Sequence, residues 1–173
     1  MHLCNISEIG SLMRSGDLFI EGGHEFLDEH RIALHMAELH EVVGDVDLRA
    51  PQHAVLKQIP LPAARLDPGS FYLGITRERF SLGMGLVASL HTRSRFARIG
   101  LETLQSSNFV VPGFGNAGPA PIIFEITVRR PTSHLAAGEA YCFANIYRIM
   151  YPRNEPNLKD YNNRFPMLNG GRA

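Results

Sequence analysis

Two short stretches carry side chains suited to chemistry. The first, "LHTRSRFARIG", places Arg93, Arg95 and Arg98 within six positions and sets Ser94 between the first two. A guanidinium is planar, permanently charged and forked, so it matches a phosphate; a serine hydroxyl adds a short donor or acceptor beside it. Backbone N–H groups at a helical start here would add to the same anion site. The other stretch, "PIIFEITV", sets Glu125 between apolar neighbours in a strand-like run. Alternation puts Glu125 on the face of Ile123 and opposite Phe124. A carboxylate beside a substrate ring can serve as general base to a firmly oriented water. Both stretches also have a plain alternative: three solvated arginines, and a glutamate on the solvent face of its strand.

Other residue types suggest less. The eight histidines include no H-E-x-x-H, and neither His24-Glu25 nor His40-Glu41 is joined to a P-C-x-x-C, so no zinc site is expected. His91 adjoins the arginines, where a structural or solvent-facing role is the simpler one. Phe71 and Tyr72 are expected to build sheet rather than stack a base. Gly83 and Gly85 in "LGMG" mark a tight turn, since no Gly-x-Gly-x-x-Gly follows. Cys4 and Cys142 suggest neither a disulfide framework nor a metal site, and Cys142 in "AYCFANIY" reads as a buried thiol.

The 17 basic and 17 acidic residues cancel, which argues against a broad nucleic-acid or membrane footprint and makes the arginine cluster a local feature. No apolar run approaches the roughly 20 residues of a membrane span, and the start "MHLCNISEIG" lacks a secretory pattern. The expected location is the cytoplasm.

The elements that must position these residues follow from period and punctuation. "NISEIGSLMRSGDLFI" reads as a short amphipathic helix capped by Asn5 or Ser7 and stopped by Gly16. Residues 23–41 alternate only in part, so a strand and a short helix both remain open. "DVDLRA", "AVLKQIPL", "SFYLGIT", "GLVASLHT", "NFVVPGF", "PIIFEITV" and "AYCFANIYRI" are strand-like, separated by "LDPG", "LGMG", "GFGNAGPAP" and "LAAG". "RSRFARIG" is the one helical turn among them. The pattern predicts a mainly β protein, a distorted β-barrel or jelly roll. The polar end, "YPRNEPNLKDYNNRFPMLNGGRA", offers no long strand.

The run "LDPGSFYLGITRERFSLGMGLVASLHTRSRFARIGL", followed by "VVPGF", "IIFEI" and "LAAGEAYCF", resembles the dCTP deaminase branch of the trimeric dUTPase and dCTP deaminase superfamily. The resemblance implies a dUTPase-like β domain with its N-terminal helix over residues 1–150 and a tail over 151–173 that serves as an active-site lid. It implies a homotrimer with an active site shared between subunits, acting on a deoxynucleoside triphosphate, dCTP, with magnesium carried on the triphosphate. The family's Gly-Arg-Ser-Ser-Leu-Ala-Arg-x-Gly motif falls on Thr92 to Gly100, so Arg93, Ser94 and Arg98 would hold the triphosphate and base. Glu125 would be the general base whose water adds to C4 of cytosine, giving dUTP and ammonia and a place in dUTP biosynthesis. Ser107, at an alanine position, would offer its backbone C=O to the base amino group. Lys159, Tyr161, Asn163 and Arg164 match lid positions.

Three departures qualify this. Thr92 replaces a glycine. Arg95 replaces a serine, and would reinforce phosphate binding, fill the pocket or pair with an acidic neighbour. Val111 stands where an aspartate is expected and can neither accept a hydrogen bond nor hold charge, which argues against dUTPase-type hydrolysis. With the longer "GNAGPAP" run, these departures leave an alternative open: a catalytically altered nucleotide-binding or regulatory protein, or a deaminase for a modified pyrimidine nucleotide.

Overall fold

Asn5 and Glu8 begin the first helix, α1 (Ile6–Ser15), with a reciprocal cap. The Asn5 side chain accepts the Glu8 N–H, and the Glu8 carboxylate accepts the Asn5 N–H, each at 3.0 Å. Gly16 ends the helix in the left-handed conformation, and Ile9 and Leu12 bury its apolar face. The computed structural model describes residues 1–45, 47, 49, 54–62, 65–103 and 108–149.

Ten strands are present among the described residues. They are β1 (His2–Leu3), β2 (Leu18–Glu21), β3 (Arg31–Val43), β4 (Val55–Ile59), β5 (Phe71–Leu82), β6 (Leu86–Thr92), β7 (Leu101–Thr103), β8 (Phe109–Val110), β9 (Ala120–Val128) and β10 (Ala140–Arg148). The pairing runs β7-β9-β5-β3-β10-β6-β8, with β1 on β10, β2 on β5 and β4 on β3. All these pairings are antiparallel. The architecture is a mainly β, curled sheet of dUTPase-like jelly-roll form with a short N-terminal helix.

The strand β3 resolves the ambiguity of residues 23–41 in favour of sheet. Its first part, Arg31 to His35, pairs with β10; from Met36 onward it pairs with β5. The change of partner is accompanied by register shifts between Met36 and Glu38, between Ala140 and Cys142, and between Ile75 and Arg79. At this corner Glu78 turns inward and is fully buried. Its carboxylate accepts the His35 backbone N–H at 2.8 Å and faces His35 Nδ1 at 2.7 Å. Arg77 Nη2 lies 2.9 Å from Glu78 Oε1 at the rim, and His35 Nε2 reaches Glu25 at 3.2 Å. Thr76 donates its hydroxyl to the Glu78 carbonyl at 2.6 Å and accepts the Ile122 N–H at 2.9 Å. Side chains thus replace ladder bonds where the sheet bends.

The expected segments 54–61, 70–76, 85–92, 108–114, 121–128 and 140–149 each contain a strand. "DVDLRA" lies partly outside the described residues, and its described members form no strand: Arg49 folds back on Asp47 through bonds of 2.8–2.9 Å. Tyr72 is a core residue whose hydroxyl accepts the Asp67 N–H at 2.9 Å, and residues 84 and 85 form the turn before β6. The turn at 112–117 docks on β5 through Leu82 N–H to Phe114 O at 2.8 Å. A Cβ on Gly115 would meet Phe80 O at 2.2 Å, so only glycine permits that approach. Phe80, Phe124, Leu39, Leu34 and Ile9 join both halves of the sheet and the helix in one core. No helix among the described residues is long and apolar enough to cross a membrane.

Removing the buried carboxylate with Glu78→Ala is expected to destabilise the fold by about 3–5 kcal/mol, because His35 and Arg77 lose their partner. Denaturant unfolding measures this, and a loss below about 1 kcal/mol would mean that the corner does not depend on Glu78.

Candidate active site

The arginine motif sits where β6 ends against β10. The Arg93 N–H donates to Tyr141 O at 3.0 Å, and its Nη1 donates to Ala140 O at 3.2 Å. The following helix, α2 (Ser94–Ala97), is a single turn closed by Gly100 at φ 86°. A Cβ there would sit 3.0 Å from Arg129 Cβ. So short a helix has little dipole, and the side chains carry the anion argument.

Thr92 is tied in by its hydroxyl, which donates to Thr103 O at 2.5 Å; Thr103 Oγ1 in turn lies 2.9 Å from Cys142 Sγ. The added methyl and hydroxyl relative to glycine therefore brace β6 against β7. Arg95 pairs with Glu139 and lies 4.6 Å over the Phe96 ring, which packs on Tyr141 at 4.7 Å. Of the three fates open to Arg95, the structure shows pairing with an acidic neighbour.

A cleft of about 390 Å³ opens here, lined by Leu27, Arg31, His91, Thr92, Arg93, Ser94, Arg95 and Phe143. His91 faces it, stacked on Phe143 at 5.1 Å and held by Ser89 at 2.8 Å. Burial lowers the pKa of the Arg93 guanidinium, and neighbouring Arg95 and Arg31 add to the shift against the pull of Glu25.

The structure brings Arg93, Ser94 and Arg95 together but places Arg98 elsewhere. Arg98 lines a second cleft of about 650 Å³ with Glu102, Arg129 and Arg130, among others. Glu125 lies on β9, half-buried and opposite Leu73 of β5, on the outward face with Thr127. Thr127 is opposite Glu102, so Glu125 shares a face with the second cleft, yet it lines neither cleft. Val111 opens the turn after β8, with its carbonyl accepting the Phe114 N–H at 3.2 Å. Ser107 and the expected lid residues Lys159, Tyr161, Asn163 and Arg164 lie outside the described residues. No group of three or more His, Cys, Asp or Glu side chains suited to a metal ion occurs among the described residues.

Arg31 and Phe143, which line the arginine cleft, escaped the sequence reading. They lie far from the motif in the chain, and only strand pairing brings them to it. Asp28-x-x-Arg31 was the one local sign.

Residues 8–143, most of the chain, match the dCTP deaminase-like family. The chain belongs to that family. A dCTP deaminase, dUMP-forming, of Tropheryma whipplei (strain Twist) is 35% identical over 88 residues, 44% of this chain and 45% of its own. Another, from Dictyoglomus thermophilum, is 29% identical over 109 residues, 62% of this chain and 54% of its own. This dCTP deaminase-like chain therefore spans about half the length of the curated relatives it matches. The crystal structure of 2'-deoxycytidine 5'-triphosphate deaminase from Agrobacterium tumefaciens shares the fold with a TM-score of 0.66. That likeness is at 16% identity, over 87% of this chain and 49% of that one. A dUTPase mutant from phage phi11 of S. aureus gives a TM-score of 0.51 at 11% identity, over 84% and 98%. These relatives correct one expectation. Dictyoglomus and Tropheryma proteins alike are dUMP-forming, which overturns dUTP as the product and the place in dUTP biosynthesis.

Two measurements follow from the geometry of this dCTP deaminase-like site. Burial pushes the Cys142 thiol up to about 12 and also raises Cys4, so both should resist a thiol reagent at neutral pH until the fold is denatured. Rapid labelling of the native protein would contradict the burial of both. Asp28 is held down to about 2, chiefly by Arg31. Its contribution to stability is therefore full above the ordinary carboxyl range of about 4 and is lost as pH falls through about 2. NMR titration of its carboxyl carbon should report that midpoint.

Proposed function

We propose that the chain is a nucleotide hydrolase that acts on dCTP, releasing ammonia and giving dUMP. In balance, dCTP and two waters yield dUMP, ammonia and pyrophosphate. The observation that carries this reading is the cleft lined by Arg93 and Ser94 on a frame of the dCTP deaminase-like family. Arg93 supplies charge and a fork for phosphate, and Ser94 a hydroxyl. Glu125 takes a proton from the water that adds to C4 of the cytosine and returns it to the departing ammonia. Magnesium enters as part of the substrate, offsetting triphosphate charge. Because Glu125 lines neither cleft within one copy, the reading requires a closed assembly, a homotrimer, in which one copy's Glu125 meets another's cradle. Residues 151–173 would then close over the nucleotide as a lid.

Val111 favours a second reading, because the second water, which must break the bond between the α and β phosphates, has no carboxylate at that position to orient it. With no carboxylate there, the chain would bind the nucleotide and leave it unprocessed, as a sensor or a scaffold.

Ammonia and pyrophosphate release from dCTP with magnesium separates the two. Glu125→Gln is expected to lower ammonia release by about 10²–10⁴-fold while leaving nucleotide binding in place. Mixing Glu125→Gln with Arg93→Gln protein should restore turnover, since some shared sites then carry both native residues. Tight dCTP binding without any turnover would select the second reading.

A further inference from the structure

The cleft beside α2 contains a guanidinium that the motif does not supply. Arg31, the first residue of β3, is fixed from two sides. Asp28 accepts its backbone N–H at 3.0 Å and pairs with its side chain through Nε and Nη2. Its Cζ lies over the Phe143 ring, 5.0 Å from the centroid, and His91 stacks on that same ring. A guanidinium has five N–H donors, so an engaged Nε–Nη2 edge leaves the Nη1 donors for another partner.

The surroundings indicate which partner. Arg31 lines the same 390 Å³ cleft as Arg93, Ser94 and Arg95. Glu139 neutralises Arg95, whereas Arg93 has no ion pair among the described residues. Arg93 feels both Arg95 and Arg31 as like charges. Three guanidinia line one cleft and Asp28 and Glu139 offset two of them, so an anion entering it meets the charge of Arg93 and the remaining N–H donors of a pre-oriented Arg31. The orienting groups also remove most of the side-chain entropy that binding would otherwise cost.

We propose that Arg31 is a further phosphate-binding residue of this cleft, holding a polyphosphate jointly with Arg93 and Ser94. The identity of that polyphosphate as part of a nucleotide rests on the function proposed above; the role of Arg31 does not. Phe143 positions it; Asp28 holds it in place but also competes with the anion for its charge, and the competition outweighs the hold.

Calorimetric titration of the full chain with inorganic tripolyphosphate, and separately with dCTP, tests this. Arg31→Gln is expected to weaken tripolyphosphate binding about ten-fold or more. Arg31→Lys should recover only part of that loss, because an ammonium keeps the charge but not the fork. Asp28→Asn should strengthen binding by about two- to five-fold by removing the competing carboxylate. A gain in affinity cannot arise from a misfolded variant. Wild-type affinity in Arg31→Gln, full recovery in Arg31→Lys, or no tripolyphosphate binding by the native chain would each overturn the proposal. Arg31-dependent tripolyphosphate binding without dCTP turnover would leave Arg31 in place and defeat the deaminase reading instead.

Discussion

One fully buried carboxylate governs the shape of this protein. Where β3 changes partner from β10 to β5, Glu78 accepts the His35 N–H and faces the His35 ring. A flat sheet would satisfy that N–H from a neighbouring strand; a bent one needs a substitute acceptor in its interior. A buried ion is tolerable only when every charge and lone pair is answered. His35, Arg77 and, one step out, Glu25 provide the answer. The bend they hold brings the end of β6 and the start of β10 to one rim, which Arg31, farther back along β3, reaches beside Phe143. That rim is the arginine cleft: Ala140, whose carbonyl Arg93 grips, is the residue opposite His35.

The parts of the fold legible in the sequence are those decided by near neighbours. The α1 helix is bounded by Asn5, Glu8 and Gly16, which act within a turn of where they stand. Period-two runs such as "PIIFEITV" place a strand and its two faces correctly, with Ile122, Phe124 and Ile126 inside and Glu125 outside. Residues 31–43 are harder. Their burial is continuous from Ile32 to Met36 because the strand is covered on both sides at the corner, and continuous burial erases alternation. Glu78 is legible only in part: alternation with Phe80 and Leu82 puts it on the inner face of its strand, but nothing near it shows that the distant His35 answers its charge there.

The site divides in the same way. The motif announces Arg93, Ser94, Arg95 and Arg98 together, but a one-turn helix ended by Gly100 sends Arg98 toward a different cleft from the others. Proximity in sequence over a turn of this kind does not mean proximity in space. Conversely, Arg31 and Phe143 meet the motif only through the β3–β10–β6 ladder. Arg95 shows a third case. Its charge is plain in the sequence, yet Glu139 largely spends it before any ligand arrives.

The double membership of β3 has a bearing on how the chain folds. Because one strand is the hinge of both halves of the sheet, neither half owns a complete set of partners, and neither can open while the other stays intact. Its partners β5 and β10 lie far along the chain from it, so the loops that must close to form this hinge are long. Such a topology favours a slow, all-or-none transition over stepwise assembly. Amide hydrogens near the middle of β3 should then exchange only when the whole molecule opens, making this strand the slowest clock in the protein.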